Sequence, residues 1–193
     1  MINKILDLST YSHSFSLKNK ISRLLWNCSS LILFRPFASR LFRRWRILVL
    51  KCFGAKIEWS SHVYASVKIW APWNLELGAN SSLGPKVDCY NQGKISIGSN
   101  TIISQKSYLC ASSHDYTKPD FPLILKPITI GDGVWVAADA FIGPGVCIEN
   151  NSVIAARAVV NKKVFKNSIV RGNPATSISR DEISTKKLQY DKL

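Results

Sequence analysis

The sequence predicts an all-β chain wound as a parallel β-solenoid, and two patterns predict it. Ile130, Val136, Ile142, Ile148, Ile154 and Val160 stand six residues apart without a slip. That period matches neither a helical stripe, at about 3.6 residues, nor the two-residue alternation of a strand. The same step recurs upstream in three triplets: Ile57, Val63, Ile69; Leu77, Leu83, Cys89; Ile97, Ile103, Leu109. Fourteen of these fifteen positions are Ile, Leu or Val and one is Cys. Such a period marks stacked repeats, none of which buries its apolar face alone.

Each six-residue unit reads as a short strand and a corner. The ladder residue points inward. The small or turn-forming residue after it (Gly131, Ala137, Gly143, Ala155, Asn161) permits the bend. Three units close one triangular coil, and about five coils stack at about 4.8 Å. Triplets start at 57, 77 and 97, so the early coils carry two residues beyond eighteen. After Leu109 the ladder resumes at Ile130, with fifteen residues inserted in phase. A long loop in a compact repeat is usually functional.

The chain then divides into three parts. Residues 1–52 form a basic N-terminal arm of one or two helices, residues 53–165 the solenoid with a loop at about 114–129, and residues 166–193 a C-terminal segment. That segment turns at Gly172 and Pro174 and ends in a short helix from Asp181. Net charge is +14, and residues 1–50 hold nine Lys or Arg against one acid, Asp7. Leu41, Trp45 and Leu48 share a helical face, with Arg43, Arg44 and Arg46 off it. Such a helix suits an anionic membrane surface. It equally suits a cap on the solenoid's open end, with the arginines solvated. The charge is joined to no groove-reading motif, which argues against nucleic acid.

Five Cys, odd in number and without a CxxC pair, read as reduced packing residues of a cytosolic chain. No apolar run before a cleavage site marks a secretory signal. The best apolar stretch, residues 24–34, is too short to cross a bilayer. The expected setting is the cytoplasm, reaching to the inner face of the cytoplasmic membrane.

Ile130-Gly131-Asp132-Gly133-Val134-Trp135-Val136-Ala137, followed by Ile142-Gly143-Pro144-Gly145-Val146, resembles the signature of the hexapeptide-repeat acyltransferases. The tail Arg171-Gly172-Asn173-Pro174-Ala175 adds to it. Ser113-His114-Asp115-Tyr116, the stretch 104–110 and Leu6-Asp7-Leu8-Ser9-Thr10 are similar to the colanic-acid and exopolysaccharide branch of that family. The resemblance implies a left-handed parallel β-helix, a homotrimer, acetyl-CoA as donor and a saccharide acceptor, free or lipid-linked. Tyr64, Trp70 and Tyr90 take slots where the family has small residues, which predicts a distorted first coil.

Three histidines are present: His13, His62 and His114. His114 sits where the ladder leaves the solenoid. Acetyl transfer to a hydroxyl needs a base, and an imidazole, with an ordinary pKa near 6.5, suits that task. From the residues alone His114 is a base or a plain loop histidine; the resemblance implies the base. Asp115 or Asp88 could orient the ring or hold acceptor hydroxyls. Asp88 is read as a coil corner beside Asn91, and Tyr116 as a ring that stacks on a sugar or packs in the loop. The resemblance implies a coenzyme A groove along late coils, carried over to Trp135, Ala137, Ala138, Ala155, Ala156 and Arg157. Lys162 and Lys163 are candidates for the nucleotide phosphates, with Arg171 and Asn173 near the same end. No metal is expected, because His13 and His62 lie far along the chain from His114. The rival readings are an acetyltransferase for a free small acceptor and a non-catalytic scaffold or membrane-surface module.

Overall fold

The computed structural model describes residues 15–179. The expected helix from Asp181, the motif at residues 6–10 and His13 lie outside them. Strands of two to four residues stack into three faces. Face 1 holds Lys56–Ile57, Leu75–Leu77, Ile95–Ile97, Ile128–Ile130 and Cys147–Ile148. Face 2 holds His62–Val63, Ser82–Leu83, Ile102–Ile103, Trp135–Val136, Val153–Ile154 and Ser168–Arg171. Face 3 holds Lys68–Ile69, Asp88–Tyr90, Tyr108–Cys110, Phe141–Ile142 and Val159–Val160. All these pairings are parallel. Five coils are complete, and a sixth is partial.

All fifteen ladder residues are buried. Each buried Ile, Leu or Val side chain contributes about 1.5–3 kcal/mol, so the column is the main favourable term. The ladder continues in Val164 and Val170, which pair with Ile148 and Ile154. That last coil is therefore sixteen residues long instead of eighteen. Corners between faces 1 and 2 place Asn80, Asn100, Gly133, Asn151 and Asn167 at φ near +60°. Asn and Gly accept that left-handed conformation at least cost, which explains the column of Asn.

One expectation is corrected here. The first coil is not distorted: Lys56, His62 and Lys68 pair in register with Glu76, Ser82 and Asp88. Its aromatics point outward, and Tyr64 stacks on His62 at 4.4 Å. The two extra residues of each early coil collect at the edge between faces 3 and 1, where Pro72–Asn74 forms a turn of 3₁₀ helix. The C-terminal segment adds a strand. Beyond the expected turn at Gly172 and Pro174, Thr176–Ser179 returns antiparallel along Ser168–Arg171 and extends face 2.

The arm folds as α1 (Leu17–Ser29), a π-helical turn (Ser30–Phe34) and α2 (Arg43–Cys52). It caps the open end of the solenoid. In the stack, each coil's N–H groups donate to carbonyls of the next coil, as in His62 to Ser81 and Tyr64 to Leu83. The first coil's own carbonyls have no preceding coil to serve. Side chains of the arm serve them instead. Lys51 Nζ donates to Ile57 O at 2.6 Å, Arg43 Nη1 to Ser61 O at 3.0 Å, Arg46 Nε to Val63 O at 2.9 Å and Trp26 Nε1 to Ile69 O at 2.7 Å. Unserved buried carbonyls would each be costly.

The expected polarity of the arm is thereby overturned. Arg46 is 1% exposed, whereas Leu41, Trp45 and Leu48 face outward. Helix α1 is inverted in the same way. Asn19, Ser22, Arg23 and Trp26 turn inward, and Leu17, Ile21, Leu24, Leu25, Leu31 and Ile32 are exposed.

Candidate active site

The insertion leaves the edge between faces 3 and 1 as a β-hairpin. Ser112–His114 pairs antiparallel with Leu123–Leu125, and His114 stands opposite Leu123. The excursion therefore begins earlier than the expected position 114, and His114 rides its outgoing strand. Lys126 N–H donates to Ala111 O at 3.0 Å and closes the hairpin's neck.

His114 Nδ1 lies 2.6 Å from the Phe121 carbonyl oxygen. A carbonyl only accepts, so this contact places the ring proton on Nδ1 and the lone pair on Nε2. A main-chain carbonyl makes this Nδ1 contact. Asp115 spends Oδ1 on Thr117, taking its N–H at 3.1 Å and its hydroxyl at 2.5 Å. Those bonds hold the Asp115 carboxyl below the usual carboxylate range and make it the brace of the hairpin turn. Tyr116 stands 84% exposed near the tip.

Asp88 is not at a corner. It opens the face 3 strand, half-exposed, with Lys68 Nζ at 3.7 Å. Asn91 is fully buried. Its Oδ1 accepts from Trp70 and Ala71 N–H at 3.0 Å each, and Nδ2 donates to Ala71 O. That amide ties two coil corners together and is spent before any acceptor arrives. Between Asp88 and the hairpin, the rings of Tyr90, Tyr108 and Phe141 line face 3 with centroids 6.1 and 5.6 Å apart. Burial pushes the Tyr108 hydroxyl pKa well above its ordinary value. Burial likewise pushes the Cys89 thiol well up, so this cysteine is no nucleophile.

The expected donor residues divide between edges. Ala137 and Ala138 form the corner between faces 2 and 3. Ala155, Ala156 and Arg157 form the same corner one coil later, joined by Arg157 N–H to Ala138 O at 3.0 Å. Arg157, at φ +59°, reaches Asp139 at 3.8 Å. The backbone is accessible here because the side chains are small. Trp135, 51% exposed, stands beside this corner on face 2 and donates to Ser104 Oγ at 3.0 Å. The Arg171–Asn173 turn folds onto the edge of face 3, where Val159 N–H donates to Gly172 O and Ala175 N–H to Val159 O. Lys162 and Lys163 sit at the edge between faces 3 and 1, where they line a cleft with Pro174, Ala175 and Thr176 just past that turn, and Lys163 is paired with Glu149 at 2.7 Å. Among the described residues no three His, Cys, Asp or Glu gather as a metal site. The Phe121 carbonyl had no signal in the sequence, since main-chain acceptors leave no residue-type mark.

Stacked three-sided coils, broken once by a hairpin that presents an imidazole, define a hexapeptide-repeat acyltransferase. The family model described as bacterial transferase hexapeptide (six repeats) matches residues 127–162. The chain is 40% identical over 181 residues to the putative colanic acid biosynthesis acetyltransferase WcaF of Escherichia coli K12, covering 93% of this chain and 98% of that protein. It belongs to the hexapeptide-repeat acetyltransferases, in the colanic-acid branch. Among solved structures, the hexapeptide-repeat acetyltransferase VCA0836 of Vibrio cholerae is 26% identical with a TM-score of 0.74, over 84% of this chain and 92% of that one. A galactoside acetyltransferase in complex with coenzyme A has a TM-score of 0.76 at 23% identity, over 88% of each chain, a likeness of fold.

Proposed function

We infer that the protein transfers the acetyl group of acetyl-CoA to a sugar hydroxyl in bacterial exopolysaccharide, capsule or lipopolysaccharide assembly. The observation that carries this reading is the His114 contact with Phe121 O, which leaves Nε2 as the basic nitrogen. Acetyl-CoA supplies an activated thioester carbonyl. His114 Nε2 takes the acceptor's hydroxyl proton as the oxygen attacks that carbonyl. The new C–O bond forms, the C–S bond breaks, and the imidazolium returns the proton to the departing thiolate. No acyl-enzyme intervenes, in keeping with the inert Cys89.

The alanine corner and Trp135 fit a pantetheine arm: small side chains, accessible backbone and a flat apolar wall. That corner and the His114 hairpin lie on different edges of the triangle. One face of six residues separates them, up to about 20 Å at about 3.3 Å per residue. That separation supports a homotrimer in which a second copy brings its donor corner to His114, with the sites between subunits. The test is acetyl-CoA turnover with a panel of free sugars, nucleotide sugars and polyprenyl-linked saccharides, read by mass spectrometry, with sedimentation in parallel. Acetylated saccharide from a trimer is the expected result. Coenzyme A binding with no acetylated product from any acceptor overturns it and leaves a scaffold.

The arm supports contact with an anionic membrane surface. Between residues 15 and 57 there are ten Lys or Arg and no Asp or Glu. The outward apolar residues of α1 stand among these cations, a composition that suits lipid headgroups and repels a second copy. No described helix is long and apolar enough to cross a membrane. The protein is expected to sediment with phosphatidylglycerol vesicles, not with phosphatidylcholine vesicles, and Leu24→Asp with Ile32→Asp should release it. Wild-type protein left in the supernatant with acidic vesicles excludes the contact.

A further inference from the structure

A cleft of about 400 Å³ separates α1 and the π-helical turn from face 3. That size falls in the range of small-molecule sites. Its arm side carries Arg23 and Arg35, and its solenoid side carries Lys68, Trp70, Asp88 and Tyr90. Three cations face one carboxylate, a net charge of about +2 by formal count. Among the described residues Asp88 has one ion pair, with Lys68 at 3.7 Å. Among the described residues neither Arg23 nor Arg35 has an acidic partner. The Arg23 guanidinium carbon lies 3.8 Å from the Trp70 ring centroid, which fixes the plane of its fork. Its Nε is buried with no hydrogen-bond partner. A partly buried guanidinium, held in plane by stacking and without an acidic partner, on the wall of a cleft is a donor suited to an anion.

The cleft has direction. Its cations lie toward the arm, and its carboxylate and tyrosine lie on the rungs leading to the hairpin. Tyr90 is paired in register with Cys110, and His114 follows four residues later. At about 3.3 Å per residue and about 4.8 Å per rung, the far end of the cleft lies within about 18 Å of His114. A short glycan spans that.

We propose that this cleft holds the diphosphate of a glycosyl diphosphate, with Arg23 and Arg35 on the phosphates and the glycan running past Asp88 and Tyr90 toward His114. The proposal rests on the acetyltransferase reading and names its acceptor class. Two observations favour a diphosphate over a uronate carboxylate. The net charge matches a diester diphosphate, and two guanidinium groups offer two forks. A polyprenyl and a nucleoside carrier share this chemistry.

The test is titration calorimetry on the full chain with inorganic pyrophosphate, glucuronate and coenzyme A, followed by acetyl transfer to a nucleoside-diphosphate hexose and to a polyprenyl-diphosphate oligosaccharide. Pyrophosphate is expected to bind at least tenfold more tightly than glucuronate. Arg23→Gln with Arg35→Gln should weaken pyrophosphate at least tenfold and leave coenzyme A affinity unchanged, and Arg35→Gln alone, at an exposed position, should show part of that loss. Pyrophosphate affinity equal to that of glucuronate, or unmoved in both variants, overturns the proposal. Whichever carrier is acetylated identifies the source; acetylation of an uncharged free sugar at equal efficiency also overturns it. Loss of acetyl transfer to every acceptor with pyrophosphate binding retained would strike the acetyltransferase reading and leave the anion site standing.

Discussion

His114→Ala removes acetyl transfer while leaving the protein folded and able to bind coenzyme A. The expected loss in kcat/KM is at least about 10²–10⁴-fold, the contribution of a positioned general base. The side chain sits on an exposed hairpin outside the stacked column, so thermal unfolding should shift little. His114→Asn sharpens the test. An asparagine Nδ2 stands where the imidazole Nδ1 stood and can still donate to Phe121 O, yet it offers no basic nitrogen. Both variants should therefore be equally inactive with unchanged coenzyme A affinity. If His114→Asn retains more than about a tenth of the wild-type rate, the imidazole is not the base. Asp115→Asn gives the complementary reading. Its carboxylate braces Thr117 while Phe121 O holds the ring's Nδ1, so the rate should fall far less than with His114→Ala.

The solenoid was legible because its ladder is a burial pattern. Ile130 to Val160 each face the column, and the position of every such residue follows from its period alone. The hairpin was legible as a gap in phase, but not its strands, because pairing of Ser112–His114 with Leu123–Leu125 rests on main-chain bonds that many sequences could make. Site residues divided the same way. His114 was singled out by residue type and place, and the structure sets it on the hairpin's outgoing strand. Asn91 lay beyond sequence reasoning because a polar residue near a corner looks the same whether its amide faces a ligand or, as here, binds the backbone of Trp70 and Ala71. Lys162 and Lys163 do lie by the residues that follow the Arg171–Asn173 turn, as their place in the period implies, while charge alone does not tell which edge a ligand follows. The arm was the hardest part. A basic residue among apolar ones is ordinarily solvated, and here the open end of the stack reverses that rule.

Arg46→Leu should be the most destabilising single change in the arm. The guanidinium donates through Nε to Val63 O and through Nη1 to Phe37 O and Ser39 O. Its Nη2 lies 3.5 Å from His62 Nε2, and burial with the nearby charges of Arg46, Arg43 and Arg40 holds the His62 pKa below its ordinary value. Leucine fills part of the space but leaves three carbonyls without this donor. At about 1–3 kcal/mol for each buried acceptor left unserved, offset by partial access to water, the loss is about 3–5 kcal/mol. For a chain of this size that lowers Tm by roughly 10–15 °C. Arg46→Lys, with donors on one nitrogen and no planar fork, should recover only part of the loss. Arg44→Ala removes the same charge from an exposed neighbour and should stay within about 0.5 kcal/mol of wild type. Arg46→Leu and Arg44→Ala melting at the same temperature would show that charge on the arm, and not the service of first-coil carbonyls, is what these arginines contribute.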